Sequence, residues 1–135
     1  MNEHSTEISV PACHEALGEL TEAIAGACAR MAVADADCLR LQLLAEELFI
    51  NTVEHGFCGP SSTAVRLALG RDAGGLTLHY EDEAPAFDPF AASPQTASED
   101  TIGGLGLTLL HGMSRTRHYR REAGRNIIEI GLQAP

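Results

Sequence analysis

The sequence has no lysine: all nine of its basic Lys/Arg positions are arginine. A Schiff-base lysine, any other catalytic lysine and the phosphate-binding lysine of a P-loop are therefore excluded. Positive charge is scarce altogether. The net charge is −10, which argues against a nucleic-acid backbone as the main partner. No lysine or arginine lies between Arg71 and Arg115, so a phosphate bound in that interval must be held by backbone N–H groups and a metal ion. No apolar run approaches the roughly 20 residues of a membrane span, so no membrane partner is expected. The first residues, Met-Asn-Glu-His-Ser-Thr-Glu, are polar and acidic and show no signal-peptide pattern, so a cytoplasmic location is expected. The four cysteines (Cys13, Cys28, Cys38, Cys58) show no C-x-x-C spacing. They read as free buried thiols in a reducing compartment, not as a metal site.

What the chain does have is length and apolar content for one domain over residues 1–135, with 44% hydrophobic residues. Its most informative stretch is Leu41-Gln-Leu-Leu-Ala-Glu-Glu-Leu-Phe-Ile-Asn-Thr-Val-Glu-His-Gly56. It reads as one helix ending at Gly56 as a C-cap. Apolar side chains surround most of it, the mark of a buried helix. Yet Glu47, Asn51 and Glu54 follow at i, i+4 and i+7 and form one polar line. Buried polar groups cost several kcal/mol, roughly, unless paired. A carboxylate one turn before a carboxamide offers a proton acceptor and a neutral oxygen ligand for a hard cation. A helix edge that meets water explains the same line with about equal force.

Around that helix the chain reads in order. Glu7-Ile-Ser-Val10 alternates as a short strand, and Pro11 suits a helix first turn. A helix is expected over about residues 12–32, from apolar positions at helical spacing. Asp35 or Asp37 is the expected cap of the next helix. Residues 57–62 are a loop. Residues 63–69 and 76–82 form a hairpin around Asp72-Ala-Gly-Gly75. Residues 83–100 are a long, acidic, Pro- and Ser-containing connection. Gly103-Gly-Leu-Gly106 runs into a short apolar helix to Met113. Residues 115–121 and 126–132 are two more strands. Hairpin-joined strands with grouped helices predict an α+β fold, an antiparallel or mixed sheet with helices on one face.

Three further places could carry chemistry. Asp82 ends a strand, where a carboxylate can accept from the exocyclic amine of a base; alone, an exposed acidic turn is the plainer explanation. Gly103-Gly-Leu-Gly106 opens a helix, so backbone N–H groups could approach phosphate, although glycine-rich helix starts are common. Arg115, Arg117 and Arg121 share a strand face with Tyr119, either as a solvated edge strand or as a docking surface for an acidic partner.

Taken together and in this order, E-x-x-x-N on a helix, Asp82 at a strand end and G-G-x-G before a helix resemble the GHKL, or histidine-kinase-like, ATPase superfamily. Asn51-Thr-Val-Glu-His-Gly56, Phe87-Asp-Pro89, Gly103-Gly-Leu-Gly-Leu107 and the late strand at Asn126 resemble the anti-sigma factor serine/threonine kinases of bacterial partner-switching systems. The resemblance covers about residues 8–132. It implies a two-layer α/β sandwich with a mixed, mostly antiparallel sheet and helices on one face. It implies ATP and Mg²⁺ as cofactors, with Glu47 as general base and Asn51 as metal ligand. Asp82 would bind the adenine amino group, with His55 and Ala84 also at the nucleotide. Residues from about Ala91 to Ile102 would form a lid, and Gly103, Gly104, Leu105 and Gly106 would cradle the phosphates. Phosphoryl transfer of this kind is mostly positioning and charge neutralisation.

Two departures from the family pattern stand out. Ala84 and Ala86 replace usual glycines, adding Cβ atoms beside the base position. Thr101-Ile102 stand where many relatives place a basic residue. The resemblance implies a protein serine kinase and anti-sigma-type regulator, expected as a homodimer, that acts on a STAS-domain anti-anti-sigma protein and holds a sigma factor or another regulator. The rival expectation is a switch protein that sequesters partners without transferring phosphate.

Overall fold

A computed structural model describes residues 6–56, 61–91 and 112–132. Five strands form one sheet: β1 (Thr6–Pro11), β2 (Ala64–Asp72), β3 (Gly75–Asp82), β4 (Ser114–Glu122) and β5 (Arg125–Leu132). Their spatial order is β1-β2-β3-β5-β4, and each of the four pairings is antiparallel. The expectation of a mixed, mostly antiparallel sheet narrows to antiparallel for the described strands. Two helices cover one face, α1 (Leu17–Arg30) and α2 (Asp35–Asn51), giving the expected α+β sandwich.

The period of two along each strand explains why only one face is covered. Val65, Leu67 and Leu69 of β2 and Leu78 and Tyr80 of β3 point inward and are buried. They meet Leu20, Ile24 and Ala27 of α1 and Leu41, Leu44, Leu48 and Phe49 of α2 in one core. Glu7, Arg66, His79, Glu81 and Glu129 alternate outward. The outer face is laced with ion pairs such as His79–Glu81 at 2.7 Å and Arg120–Glu129 at 2.9 Å, each worth little because both groups meet water.

Several local expectations need correction. Pro11 ends β1, opposite Ala64, instead of opening a helix. A short 3-10 turn (His14–Ala16) precedes α1. The N-cap of α2 is Ala34, without a side-chain bond, and Asp35 and Asp37 lie in the first turn. There Asp37 accepts from Arg40 at 3.0 Å, and both acids suit the positive end of the helix dipole. The α-helix stops at Asn51, and Thr52–Gly56 make a π-helical turn. Leu43 and Ile50 are half-buried and Leu39 is 56% exposed, so α2 is less enclosed than its apolar content suggested. Arg115 sits at a register shift between Ser114 and Thr116 and reaches Asp72 at 2.7 Å. It therefore leaves the row of Arg117, Tyr119 and Arg121. The row itself lies on an edge strand, as the plainer reading had it.

Cys28 is buried, and Cys13 and Cys38 are half-buried, all as free thiols; Cys58 lies outside the described residues. Burial, followed by a hydrogen bond with Cys38, pushes the Cys28 thiol up to about 12, which makes it an inert packing group at neutral pH. No described helix is long and apolar enough to cross a membrane.

The β4–β5 turn holds Ala123 at φ 54° and Gly124 at φ 77°, the two positive values of a type I′ hairpin turn. Alanine in the left-handed region costs roughly 1–2 kcal/mol, whereas asparagine tolerates it. Ala123→Asn is therefore expected to stabilise the fold by about 1 kcal/mol. The urea midpoint should rise with an unchanged slope; an unmoved midpoint would show the turn to be unstrained.

Candidate functional site

The end of α2, the ends of β3 and β5, and the segment after β3 enclose a cavity of about 160 Å³. Leu48, Asn51 and Thr52 come from the α2 end, Tyr80 and Asp82 from β3, and Asn126 and Ile128 from β5. Ala84, Pro85, Ala86, Phe87 and Pro89 form the remaining wall. Tyr80 and Asp82 both face inward because they are two apart on a strand. Asp82 lies opposite Asn126 across the β3–β5 ladder.

Asp82 is 6% exposed, and its carboxylate is held from three sides. Thr52 Oγ1 donates to Oδ2 at 2.7 Å. Asn126 Nδ2 donates to Oδ1 at 2.8 Å, and the Ala84 backbone N–H donates to the same oxygen at 3.1 Å. Behind Thr52, its hydroxyl oxygen accepts from Tyr80 Oη at 2.5 Å, and the Leu48 carbonyl lies 3.1 Å from the same phenol oxygen. Burial, and then the nearby Asp82 charge, raise the Tyr80 phenol well above its usual range. Tyr80 thus stays protonated and serves as a donor at the back of the cavity.

Three of the expected site residues are brought together here: Asn51, Asp82 and Ala84 all line the cavity. Glu47 lies one turn before Asn51 and is half-buried. Burial raises its carboxyl above the ordinary value, and the charges of Glu46 and Glu54 raise it further. Glu54 belongs to the same region but is exposed, and it pairs with His14 Nε2 at 3.3 Å. The His55 side chain, Gly103, Gly104, Leu105, Gly106 and residues 92–102 of the expected lid lie outside the described residues.

The alanines at the two glycine positions fit without backbone strain. Among the described residues only Ala32 and Ala123 are non-glycines at positive φ. Ala84 is buried, at 2% exposure, in the cavity wall. Thr52, Tyr80 and Asn126 were not singled out as site residues by the sequence. Tyr80 could have been found from its two-residue spacing to Asp82. The pairing of β3 with β5, which brings Asn126 in, is not readable from local pattern.

The donor set fits one particular kind of metal site. Among the described residues no group of three or more His, Cys, Asp or Glu side chains could hold a metal ion. A cation bound beside Asn51 would need most of its ligands from elsewhere. Magnesium meets that condition, because it commonly takes one or two protein oxygens, substrate phosphates and waters. A second hollow, of about 680 Å³, opens across the outer sheet face over β1, β2 and β3. His79 and Glu81 on its floor are paired with each other.

The raised Glu47 carboxyl has a consequence for stability. A folded-state value above the unfolded one means that folding disfavours the charged form. The penalty applies above the folded-state value and vanishes once pH falls below the ordinary carboxyl value. Glu47→Gln should therefore melt at a higher temperature than wild type at pH 7.5, with the difference shrinking toward pH 4. Equal melting temperatures at both pH values would contradict the shift.

Comparison with known proteins places the fold and the family. The family model for the histidine kinase-like ATPase domain matches residues 10–132. The chain is 33% identical over 94 residues to the serine/threonine-protein kinase BtrW of Bordetella bronchiseptica, an alignment covering 67% of this chain and 66% of that protein. The chain thus spans just under two thirds of that relative's length. The SiaB–SiaC complex from Pseudomonas aeruginosa contains a similar fold, with a TM-score of 0.56 and 13% identity over 93% of this chain and 87% of that one. The histidine kinase domain of the blue-light activated histidine kinase from Erythrobacter litoralis EL346 gives a TM-score of 0.53 and 20% identity, over 90% of this chain and 60% of that one. At these identities the structural likeness concerns the fold alone. With a matching domain model over most of its length and the sandwich that this domain adopts, the chain belongs to the histidine kinase-like ATPase domain family.

Proposed function

We propose that this protein is an ATP-dependent serine kinase and anti-sigma-type regulator that phosphorylates a STAS-domain anti-anti-sigma protein. The observation that carries the reading is the placement of a half-buried Glu47, with its raised carboxyl, one helical turn before Asn51 at the wall of the Asp82 cavity. The similarity to a protein named as a serine/threonine kinase supports the same reading.

In this reading the base of ATP enters the cavity. Oδ1 of Asp82 already accepts two hydrogen bonds and Oδ2 accepts one from Thr52. The lone pair left on Oδ2 suits one N–H of an exocyclic amine, and it would repel the carbonyl of a 6-oxo purine. Asn51 would hold Mg²⁺ through its side-chain oxygen, and the ion would neutralise phosphate charge during transfer. Glu47 would accept the proton of the incoming serine hydroxyl. Its raised carboxyl value brings it closer to the working pH, which favours a general base. His55 and the Gly103–Gly106 segment are assigned to the nucleotide on family resemblance. A homodimer, a cytoplasmic location and a sigma factor or another regulator as second partner belong to the same proposal.

The competing reading is a switch protein that sequesters partners without transferring phosphate. The buried Ala84 methyl group in the cavity wall favours it, because that methyl takes space that a glycine would leave open.

Two variants separate the readings. Asn51→Ala should abolish Mg²⁺-dependent ATP binding, read by calorimetry, while the protein stays folded. Glu47→Ala should keep ATP and partner binding but slow phosphorylation of the STAS protein by at least about a hundredfold, read by intact mass. Wild-type protein that binds both ATP and the partner yet never adds a phosphate would establish the sequestering switch. Wild-type transfer by Glu47→Ala would remove Glu47 from the role of base.

A further inference from the structure

Asn126 is 2% exposed, and its carboxamide is used to capacity. Oδ1 accepts from Tyr119 Oη at 2.7 Å and from the Phe87 backbone N–H at 3.1 Å. Nδ2 donates to Asp82 Oδ1 at 2.8 Å, to the Pro85 carbonyl at 3.0 Å and to the Ala84 carbonyl at 3.2 Å. Both lone pairs are filled, and two hydrogens serve three acceptors. The groups around it fix the amide's orientation, because donors face one end and acceptors the other. Arg121 of β4 adds a bond from Nη1 to the Ala84 carbonyl at 2.7 Å.

One side chain thus bonds the cavity's carboxylate and three residues of the cavity wall, Ala84, Pro85 and Phe87. The wall segment Ala84–Phe87 is irregular and has no ladder of its own. Its spacing from Asp82 is set by the first residues of β5 and, through Tyr119 and Arg121, by the edge strand β4. We infer that Asn126 is the positioning residue of the base site: it aims Asp82 and holds the Ala84–Phe87 wall at the distance a base requires. The claim rests on the nucleotide reading above for its ligand, but the bracing of the wall does not.

The assignment separates donor from acceptor roles. Asn126→Asp keeps the oxygen that serves Tyr119 and Phe87. It replaces the donor facing Asp82 with a second carboxyl oxygen, at a position 2.8 Å from Asp82 Oδ1 in the native amide. Two carboxyls that close share one proton at low pH and repel each other when that proton is lost as pH rises. The other titratable groups that reach this pair are Tyr119, which donates directly to the residue 126 oxygen, Tyr80, through Thr52, and Arg121, through the Ala84 carbonyl.

The experiment compares wild type, Asn126→Ala and Asn126→Asp by Mg-ATP calorimetry between pH 5.5 and 8, and by hydrogen exchange of the Phe87 amide without nucleotide. In Asn126→Ala the Phe87 amide should exchange at least about tenfold faster and ATP should bind at least about tenfold more weakly, the loss expected when a buried hydrogen-bonding partner is removed. Asn126→Asp should bind ATP poorly at pH 8 and recover toward pH 5.5, a profile that wild type lacks. Unchanged exchange and affinity in a folded Asn126→Ala protein would overturn the inference. So would an Asn126→Asp profile parallel to wild type. If wild type binds no ATP, the nucleotide reading fails and the ligand half of the inference falls with it. Phe87 exchange in Asn126→Ala then decides the bracing half by itself. Should Asn126→Ala not fold, Arg121→Ala removes one brace at the surface and should quicken Phe87 exchange in the same direction.

Discussion

A carboxylate buried between two layers must find hydrogen bonds from both, and Asp82 does. Left unpaired it would destabilise the fold by several kcal/mol, roughly. Its donors come from the end of α2, from the start of β5 and from the backbone that follows β3. Satisfying this one group therefore fixes the helix layer against the sheet and fixes the turn of chain beyond the strand. The cavity is the space left where these three elements converge. Asp82 is its one charged group, joined by the polar Asn51, Thr52, Tyr80 and Asn126, and the rest of its wall is apolar. That composition matches the usual build of a small-molecule site, a mostly apolar hollow with few orienting polar groups.

The helix that supplies Asn51 and Glu47 changes character at the site itself. It is α-helical to Asn51 and then widens into a π-helical turn. Such turns occur often at functional positions. Here Thr52, the first residue of that turn, donates to Asp82 while its hydroxyl also lies 3.0 Å from the Leu48 carbonyl one turn earlier. Glu54 in the same turn faces solvent and His14, yet its charge still raises the Glu47 carboxyl. An acidic helix end thus favours the proton-accepting behaviour that the proposed chemistry asks of Glu47.

Much of this was legible in the residues, because local periodicity is a local signal. The alternation in residues 63–69 and 76–82 foretold two strands that pair, and in the expected turn between them Asp72 accepts from the Gly74 and Gly75 N–H groups at 2.8 and 3.1 Å. Glu47 and Asn51 stood out as polar groups on an apolar helix, whereas Asp82 alone read as an exposed acidic turn, and its burial depends on non-local partners. What stayed hidden was non-local or conformational. Nothing near Asn126 says that β5 inserts between β3 and β4, and so nothing says that Asn126 faces Asp82. The π-turn has no pattern of its own, since Thr52 and Val53 would sit equally well in an α-helix. Asp35 and Asp37 are both good cap residues, but the helix already begins at Asp35, with Ala34 as its cap. Of the two costs expected of Ala84 and Ala86, backbone strain is absent because neither sits at positive φ, while the added Cβ of Ala84 stands in the cavity wall.

The distribution of aromatic hydroxyls has a spectroscopic side. The chain holds two tyrosines and no tryptophan. Tyr80 ends on Thr52 at the back of the cavity, and Tyr119 ends on the Asn126 amide that braces its wall. The near-ultraviolet absorption and intrinsic emission of the native protein, apart from the weak contribution of phenylalanine, therefore arise from two phenols wired into a single hydrogen-bond network. A change in the bonding of Asp82 or Asn126 would perturb one of those chromophores directly, with no label attached and no distant aromatic background to subtract.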